Sequence, residues 1–253
     1  MDLMYHAGLG DNIICNAIVR NFCKEYEFIN IFVNSNNYVS IEFMFRDIKN
    51  LNYIIWNHNK KIEFEGYFDE NSSDFYKWYQ NNLKNGLNGT LNGVGANNYS
   101  LQNKKIIRIT NNNTNINFDR SFYECAGLDF NKRWDDFYVD RDIQKEICFF
   151  EKFNISGEKF IFLHEGGSSG MSKINRKKIS NDLPIIEAKR ELTDNIFDYC
   201  YIIENAAEIH CVDSSFLFLT DSIKTNGDLF VHRYTKKLSN SEMPTLRKNW
   251  NIM

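Results

Sequence analysis

The segment Gly8-Leu9-Gly10-Asp11, near the start of the chain, combines two glycines with a carboxylate. Glycines let the backbone turn tightly and bring free N–H groups toward a ligand, and an aspartate at such a turn can accept a proton from a reacting hydroxyl. Asp11 is equally an ordinary N-cap candidate for a following helix. Because GxG without a third glycine is a weak dinucleotide signal, Gly10 and Asp11 are predicted either as parts of a site or as a helix cap.

A second segment suited to phosphate chemistry starts at His164 and continues through glycines and serines into a run of cations. Small residues let a phosphate approach closely, hydroxyls donate hydrogen bonds to it, and cations offset its charge. The alternative is a glycine-rich loop followed by a solvated basic face. No second histidine or carboxylate lies at a metal-ligand spacing beside His164, so no metal site is predicted. The candidate phosphate-binding residues are His164, Gly166, Gly167, Ser168, Ser169, Lys173 and Arg176.

The third segment, Asp213-Ser214-Ser215, follows an apolar run and opens a predicted helix. A helix N-terminus exposes unpaired N–H groups and the positive end of the helix dipole, so a diphosphate could rest on Ser214 and Ser215. Capping alone, by Asp213 or Ser214, would also explain these residue types. Glu187 follows another apolar run and is either a contact to a ribose or base, or a surface carboxylate.

Alternating strand and helix patterns must position the first segment. Short β-branched runs alternate with stretches whose apolar residues recur at helical spacing, which is the pattern of βαβ units in a parallel sheet. Residues 60–117 mix aromatic residues with Asn/Gly-rich stretches and are expected to form loops with a helix or two. The predicted strands are 3–6, 29–33 and 53–56, and the predicted helices are 12–26, 39–47 and 119–128.

A fresh α/β pattern follows near residue 145. Each half places a glycine- or serine-containing turn after a strand, so two parallel sheets are expected to face a cleft with their carboxyl edges, where such sheets bind ligands. The predicted fold is therefore α/β, with two Rossmann-like domains at residues 1–145 and 146–253. The predicted strands of the second half are 160–163, 183–186, 208–212 and, as the last strand, 228–231; the predicted helices are 196–205 and 213–223.

Composition limits the classes of protein. Of the 253 residues, 43% are hydrophobic and 15% aromatic, which is enough for a packed core. The formal net charge of -3 gives no global field for a polyanion, so nucleic acid is not expected as a partner. No run approaches the roughly 18 apolar residues of a membrane span, and residues 1–11 lack the pattern of a signal peptide. These features predict a cytoplasmic protein without a transmembrane segment.

The three segments, in this order, resemble the motifs of the heptosyltransferase family (glycosyltransferase family 9). Gly8-Leu9-Gly10-Asp11 is similar to the family's opening LGD signature, and Asp213-Ser214-Ser215 to its C-terminal motif at the donor diphosphate. His164 with the glycines and serines after it resembles the preceding donor loop, and Lys173 the phosphate-binding lysine. The resemblance implies a GT-B fold, with an acceptor-side first domain and a donor-binding second domain that contains His164, Glu187 and Ser215.

The resemblance also implies a reaction. A sugar would move from a nucleotide-sugar donor to a glycan or glycolipid hydroxyl in a single inverting displacement, with Asp11 as the catalytic base. Ser168, Ser169, Lys173 and the serines at the second helix start would stabilise the departing diphosphate without a metal or any other cofactor. Such an enzyme would be a hexosyl-, pentosyl- or heptosyltransferase of polysaccharide biosynthesis. The alternatives are a GT-B-like sugar-nucleotide epimerase or hydrolase, and a non-catalytic binding subunit of a polysaccharide-assembly complex.

Overall fold

The first sheet is parallel throughout. Its strands are β1 (Asp2–Met4), β2 (Ile29–Asn34), β3 (Leu51–Trp56) and β4 (Ile106–Arg108), in the order β3-β2-β1-β4. The computed structural model describes residues 1–4, 8–56, 106–108, 117–155, 157–167, 170–179, 183–234 and 244–253. Most of 60–117, predicted as loops and a helix or two, lies outside these ranges, but residues 106–108 of that segment form a strand.

The helix predicted at 12–26 begins earlier and is divided in two. α1 (Leu9–Ile14) has Gly8 as its N-cap, and α2 (Asn16–Glu25) follows after Cys15. The prediction of a glycine turn through Asp11 is therefore wrong, because Gly10 and Asp11 already belong to the first helical turn. A 3-10 helix (Ser35–Asn37) leads into α3 (Tyr38–Met44), close to the predicted helix at 39–47.

Three helices lie between the two sheets in the described part of the chain. α4 (Phe118–Ala126) ends at Gly127, whose φ of 69° is the left-handed conformation that terminates helices and that glycine adopts without strain. α5 (Lys132–Asp135) follows, and then α6 (Ile143–Glu151), which packs against elements of the second half. The domain boundary predicted after residue 145 falls inside α6.

The second sheet is also parallel throughout. Its strands are β5 (Ile161–His164), β8 (Ile185–Glu187), β9 (Glu208–Cys211), β10 (Asp228–Val231) and β11 (Trp250–Ile252), in the order β11-β10-β9-β5-β8. The prediction that 228–231 is the last strand is wrong, because β11 pairs with β10 in register. Between β5 and β8 lie the short hairpin β6 (Gly166–Gly167) and β7 (Gly170–Met171) and the 3-10 helix Arg176–Lys178.

The predicted helix at 196–205 is a 3-10 helix (Ile196–Tyr199) continued by α7 (Cys200–Asn205), and α8 (Ser215–Ser222) follows β9. α8 packs against α1 of the first half. A Cβ atom on Gly10 would lie 2.8 Å from the Phe218 ring and 3.6 Å from the Ser215 Cα atom, so the two helices are in direct contact. One apolar cluster includes buried residues of both halves, among them Ile31 and Phe162. The predicted α/β class with parallel sheets is confirmed.

The last described segment, residues 244–253, binds both halves. The Thr245 N–H donates to the Asp119 carboxylate over 2.8 Å, and the Thr245 carbonyl accepts from the Arg133 guanidinium over 2.9 Å. Asp119 and Arg133 form a fully buried ion pair with each other. The Asp221 carboxylate on α8 accepts from the backbone N–H groups of residues 247 and 248 and from two indole N–H groups. No helix within the described ranges is long and apolar enough to cross a membrane.

Candidate functional site

The order of the second sheet marks where a ligand would bind. Numbered in chain order, its five strands run 2-1-3-4-5, so the connections leave β5 and β9 in opposite directions. Doubly wound sheets bind ligands in the crevice at the carboxyl ends of two such strands. His164 is the last residue of β5, and Ser214 follows β9 as the N-cap of α8. The His164 Nδ1 atom lies 3.0 Å from the Ser214 Oγ atom, so one hydrogen bond bridges this point of the sheet.

His164 is a neutral imidazole. Burial lowers its pKa to about 4, and its ring packs on Phe216 with a centroid distance of 4.4 Å. Ser214 does not cap α8 with its side chain, and among the described residues His164 is the partner recorded for its hydroxyl. Since a buried hydroxyl proton needs an acceptor, Ser214 donates to Nδ1, and the His164 proton then sits on Nε2 as a donor.

A cavity of about 160 Å³ lies between the two halves, next to this pair. The first half contributes the start of α1 and the 3-10 turn before α3, and the second half contributes the end of β5, the loop after β8 and the start of α8. The lining residues are Leu9, Asn36, Asn37, Ser40, His164, Ala188, Lys189, Arg190, Thr193, Asp194, Ile196, Tyr199, Ser215 and Phe216.

Hydrogen bonds between the halves hold the walls of the cavity together. The Ser40 hydroxyl donates to the Asp194 carbonyl and accepts from the Ile196 N–H, both over 3.0 Å. The Arg190 guanidinium donates to the Asn36 carbonyl over 2.8 Å. Because Ser40 and its two contacts are buried or partly buried, these bonds are shielded from water and fix the spacing of the two walls.

Lys189 and Arg190 bring positive charge to the cavity, and sequence reasoning missed both. They follow β8 after Ala188 and so lie at the same carboxyl edge as His164. Their charges are partly balanced, because Lys189 lies 3.6 Å from Glu187 and Arg190 lies 3.7 Å from Asp194. The signal that could have found them is their position just after the predicted strand 183–186, which they share with Glu187.

The first sheet places Asp11 near the cavity but not in its wall. Gly8 is the N-cap of α1, and Asp11 stands in the first turn; the prediction of Asp11 as N-cap is therefore wrong. A Cβ atom on Gly8 would lie 2.7 Å from the Asp11 Oδ2 atom, so the carboxylate folds back over the start of the helix. An acidic side chain at this third helical position suits the positive end of the dipole. Leu9, two residues earlier, borders the cavity.

The predicted loop after His164 is a hairpin. Gly166 and Gly167 pair with residues 171 and 170, while Ser168 and Ser169 lie outside the described residues. The buried Glu165 carboxylate accepts from the Ile174 N–H over 2.5 Å and from Arg176 over 2.9 Å. Arg176 is thus bound by Glu165, and Lys173 is exposed.

Of the predicted site residues, the structure brings His164, Ser214 and Ser215 together at the cavity, with Gly10 packed against the start of α8. Asp213 lies in the turn between β9 and α8, and Glu187 at the end of β8. Donor contacts of all these residues stay predictions. Among the described residues, no three His, Cys, Asp or Glu side chains lie close enough to hold a metal ion.

No protein-family model matches the sequence, and no curated protein is significantly similar to it. The structure is similar to the crystal structure of a glycosyl transferase of family 9 from Veillonella parvula DSM 2008. The TM-score is 0.47 with 8% sequence identity, and the alignment covers 91% of this chain and 79% of that chain. A likeness at this level carries no argument about function.

Proposed function

We propose that this chain is a GT-B glycosyltransferase that moves a sugar from a nucleotide-sugar donor to a hydroxyl acceptor, with inversion and without a metal. The observation that carries the proposal is the cavity between the two halves, where the His164–Ser214 pair and the start of α8 meet. A site at the carboxyl edges of two parallel sheets is where such folds bind nucleotide ligands.

The start of α8 suits a departing diphosphate. Ser214, the N-cap residue of α8, gives its hydroxyl to His164 and does not cap the helix with its side chain. N–H groups at the positive end of a helix dipole bind anions. Ser215 borders the cavity at that point, and His164, through its Nε2 proton, adds a donor that carries no charge and needs no protonation.

The size of the cavity limits what it holds. Pockets for drug-sized ligands usually measure about 300 to 1,000 Å³, so about 160 Å³ accommodates one compact part of a nucleotide sugar. In this proposal that part is the sugar with its adjoining phosphate, flanked by Lys189 and Arg190. The nucleoside extends past the hairpin after His164, whose glycines permit close approach.

The proposed reaction is one displacement. The acceptor oxygen forms a bond to the anomeric carbon while the bond from that carbon to the diphosphate oxygen breaks. The electron pair leaves with the diphosphate, and the acceptor proton passes to Asp11 as general base. The start of α8 and His164 stabilise the charge that develops on the leaving oxygen.

The base is tested with Asp11→Asn, which keeps the shape of the side chain but cannot accept the proton. Transfer from a panel of nucleotide sugars to a mixture of glycan acceptors should fall by about 100-fold or more, with donor binding nearly unchanged. Asp228→Asn, at the exposed amino end of β10, is the matched control and should keep parental activity. Full activity of Asp11→Asn would show that Asp11 is not the base.

The diphosphate site is tested by calorimetry with UDP, GDP, ADP and CDP. Ser214→Ala removes the partner of His164 and should weaken binding by about tenfold. Ser222→Ala, at the other end of α8, removes a hydroxyl bonded to the Phe218 carbonyl and should leave affinity unchanged. Parental affinity in Ser214→Ala, together with a lower melting temperature, would make the serine structural only. Turnover of donor without acceptor would favour an epimerase or hydrolase, and no binding by the parent would favour a non-catalytic subunit.

A further inference from the structure

A chain of polar side chains crosses the face of the second sheet that points away from the first half. Phe162 and Ile209 belong to the core shared by both halves, so their strand neighbours Leu163 and His210 point to the opposite face. There Glu208, His210, His232 and Tyr234 form a continuous chain. The Glu208 Oε2 to His210 Nε2 distance is 3.0 Å, His210 Nδ1 to His232 Nε2 is 2.9 Å, and His232 Nδ1 to the Tyr234 hydroxyl is 3.1 Å.

The residues at the two ends of this hydrogen-bond chain determine which atom donates and which accepts in each bond. A carboxylate only accepts, so His210 carries its proton on Nε2 and its Nδ1 accepts. His232 must then donate from Nε2, which leaves its Nδ1 to accept from the Tyr234 hydroxyl. Both imidazoles are buried, with 1% and 0% exposure, and both are neutral in this arrangement. Each of these contacts therefore has one donor and one acceptor, as buried polar groups require.

The chain ends on the backbone of the segment that follows the β6–β7 hairpin. The Tyr234 hydroxyl oxygen accepts from the Asn175 N–H over 2.9 Å, and the Lys178 ammonium lies 4.5 Å from the centre of the Tyr234 ring. On the other side of the segment, the Glu165 carboxylate holds the Ile174 N–H and the Arg176 side chain. Tyr234 and Glu165 thus both anchor residues 174–176 by hydrogen bonds.

The anchored segment is strongly basic. Residues 173–178 contain four cations, Lys173, Arg176, Lys177 and Lys178, in the connection that leaves the carboxyl end of β5. Like charges at this density repel one another, and a short 3-10 helix supplies few internal bonds to oppose that repulsion. Fixed external anchors are what keep the cations at one place along the sheet edge.

We propose that Glu208, His210, His232 and Tyr234 are positioning residues, which hold the basic segment 173–178 at the carboxyl edge of the second sheet so that its cations meet the phosphates of a nucleoside diphosphate. The identity of that ligand rests on the proposed function. None of the four residues touches the ligand in this proposal, because the chain acts through the Asn175 N–H.

Tyr234→Phe tests the anchor, since it keeps the ring beneath Lys178 and removes only the hydroxyl. Hydrogen exchange of the amides at 174–178 should become about 3 to 10 times faster, while exchange in β5 and β9 stays at the parental rate. Tyr201→Phe is the matched control. Tyr201 lies on α7, packs its ring on Phe150 and takes no part in the hydrogen-bond chain from Glu208 to Tyr234. Parental exchange at 174–178 in Tyr234→Phe would overturn the proposal.

Imidazole 15N spectra at neutral pH test the chain itself. His210 and His232 should both be neutral Nε2–H tautomers, and Tyr234→Phe should shift the Nδ1 resonance of His232. A purely structural tyrosine would move neither histidine. An Nδ1–H tautomer or a charged ring at either position would overturn the assignment.

Titration with UDP, GDP, ADP and CDP links the anchor to the ligand. In Tyr234→Phe the dissociation constant of the diphosphate that the parent binds should rise about 3 to 10 times, and Tyr201→Phe should bind like the parent. If the parent binds a diphosphate and Tyr234→Phe binds it equally well, the positioning role alone is overturned. Absence of binding by the parent would overturn the proposed function and the ligand named here with it.

Discussion

Gly10→Ala should destabilise the protein, although the same change in an exposed helix stabilises. Glycine in a helix interior costs about 0.5 to 1 kcal/mol relative to alanine, and this is the upper limit of the local gain for Gly10, which lies in the first turn of α1. The new methyl group, however, would lie 2.8 Å from two atoms of the Phe218 ring, well inside the roughly 3.5 to 4.0 Å of a comfortable carbon contact. Whether Gly10→Ala stabilises or destabilises the protein therefore depends on whether the Phe218 ring can move.

Phe218 has little room to move. It is 6% exposed, packs against the Phe118 ring at 6.5 Å and lies 5.8 Å from the Arg133 guanidinium. Forcing a methyl group into such a site costs about 1 to 3 kcal/mol, which outweighs the helix term and leaves a net loss of about 1 kcal/mol. For a chain of this length that loss lowers the melting temperature by about 2 to 4 °C.

Calorimetric melting of Gly10→Ala beside Gly8→Ala measures the effect. In Gly8→Ala the new methyl group meets the Asp11 Oδ2 atom, the tip of a side chain rather than a backbone or ring atom, so stability should fall by about 0.5 kcal/mol while transfer activity drops. A higher melting temperature for Gly10→Ala would refute the reasoning, because it would mean that α1 and α8 are not in contact at Gly10.

Three further outcomes are expected. Burial lowers the pKa of His164 and of His232 to about 4, whereas both side chains are protonated near pH 6.5 in the unfolded chain. The free energy of unfolding should therefore fall between pH 6.5 and 4, by up to about 3 kcal/mol per histidine. A lower urea midpoint at pH 4.5 than at pH 7 would show this loss. Activity should persist in excess EDTA, and strict dependence on added Mg²⁺ or Mn²⁺ would contradict a metal-independent site. Asp221→Asn should cost about 2 kcal/mol in urea unfolding, because its amide group faces N–H donors of Trp134 and Trp250; a parental midpoint would speak against that contact.

Local pattern was sufficient for the strands that consist of apolar, β-branched runs. Ile29–Asn34 and Ile161–His164 could be predicted to within one residue at each end, because buried parallel strands are rich in apolar residues. Ile106–Arg108 and Trp250–Ile252 could not, since each has only three residues and becomes a strand through pairing with β1 or β10. The break after Ile14 likewise has no local signal, because cysteine is neither a helix-breaking residue type nor a preferred capping residue.

A few residues at the candidate cavity could be predicted from the sequence, but their arrangement could not. His164 and Ser214 were both predicted as ligand contacts from their places after strands. Their hydrogen bond depends on β5 and β9 being neighbours, which is a property of strand order and is not written in either segment. Lys189 and Arg190 were missed because two adjacent cations after a short strand resemble an ordinary solvated surface.

The contacts of Thr245 bear on the order in which the chain acquires its structure during synthesis. Asp119 and Arg133 are buried in the first half, yet the backbone N–H and carbonyl that bind them come from a residue 126 positions after Asp119. A buried carboxylate without that N–H donor is costly, so the first half cannot reach its final packing while residue 245 is still inside the ribosome. The two halves are thus expected to complete folding together, once residues 244–253 have been translated, rather than one after the other.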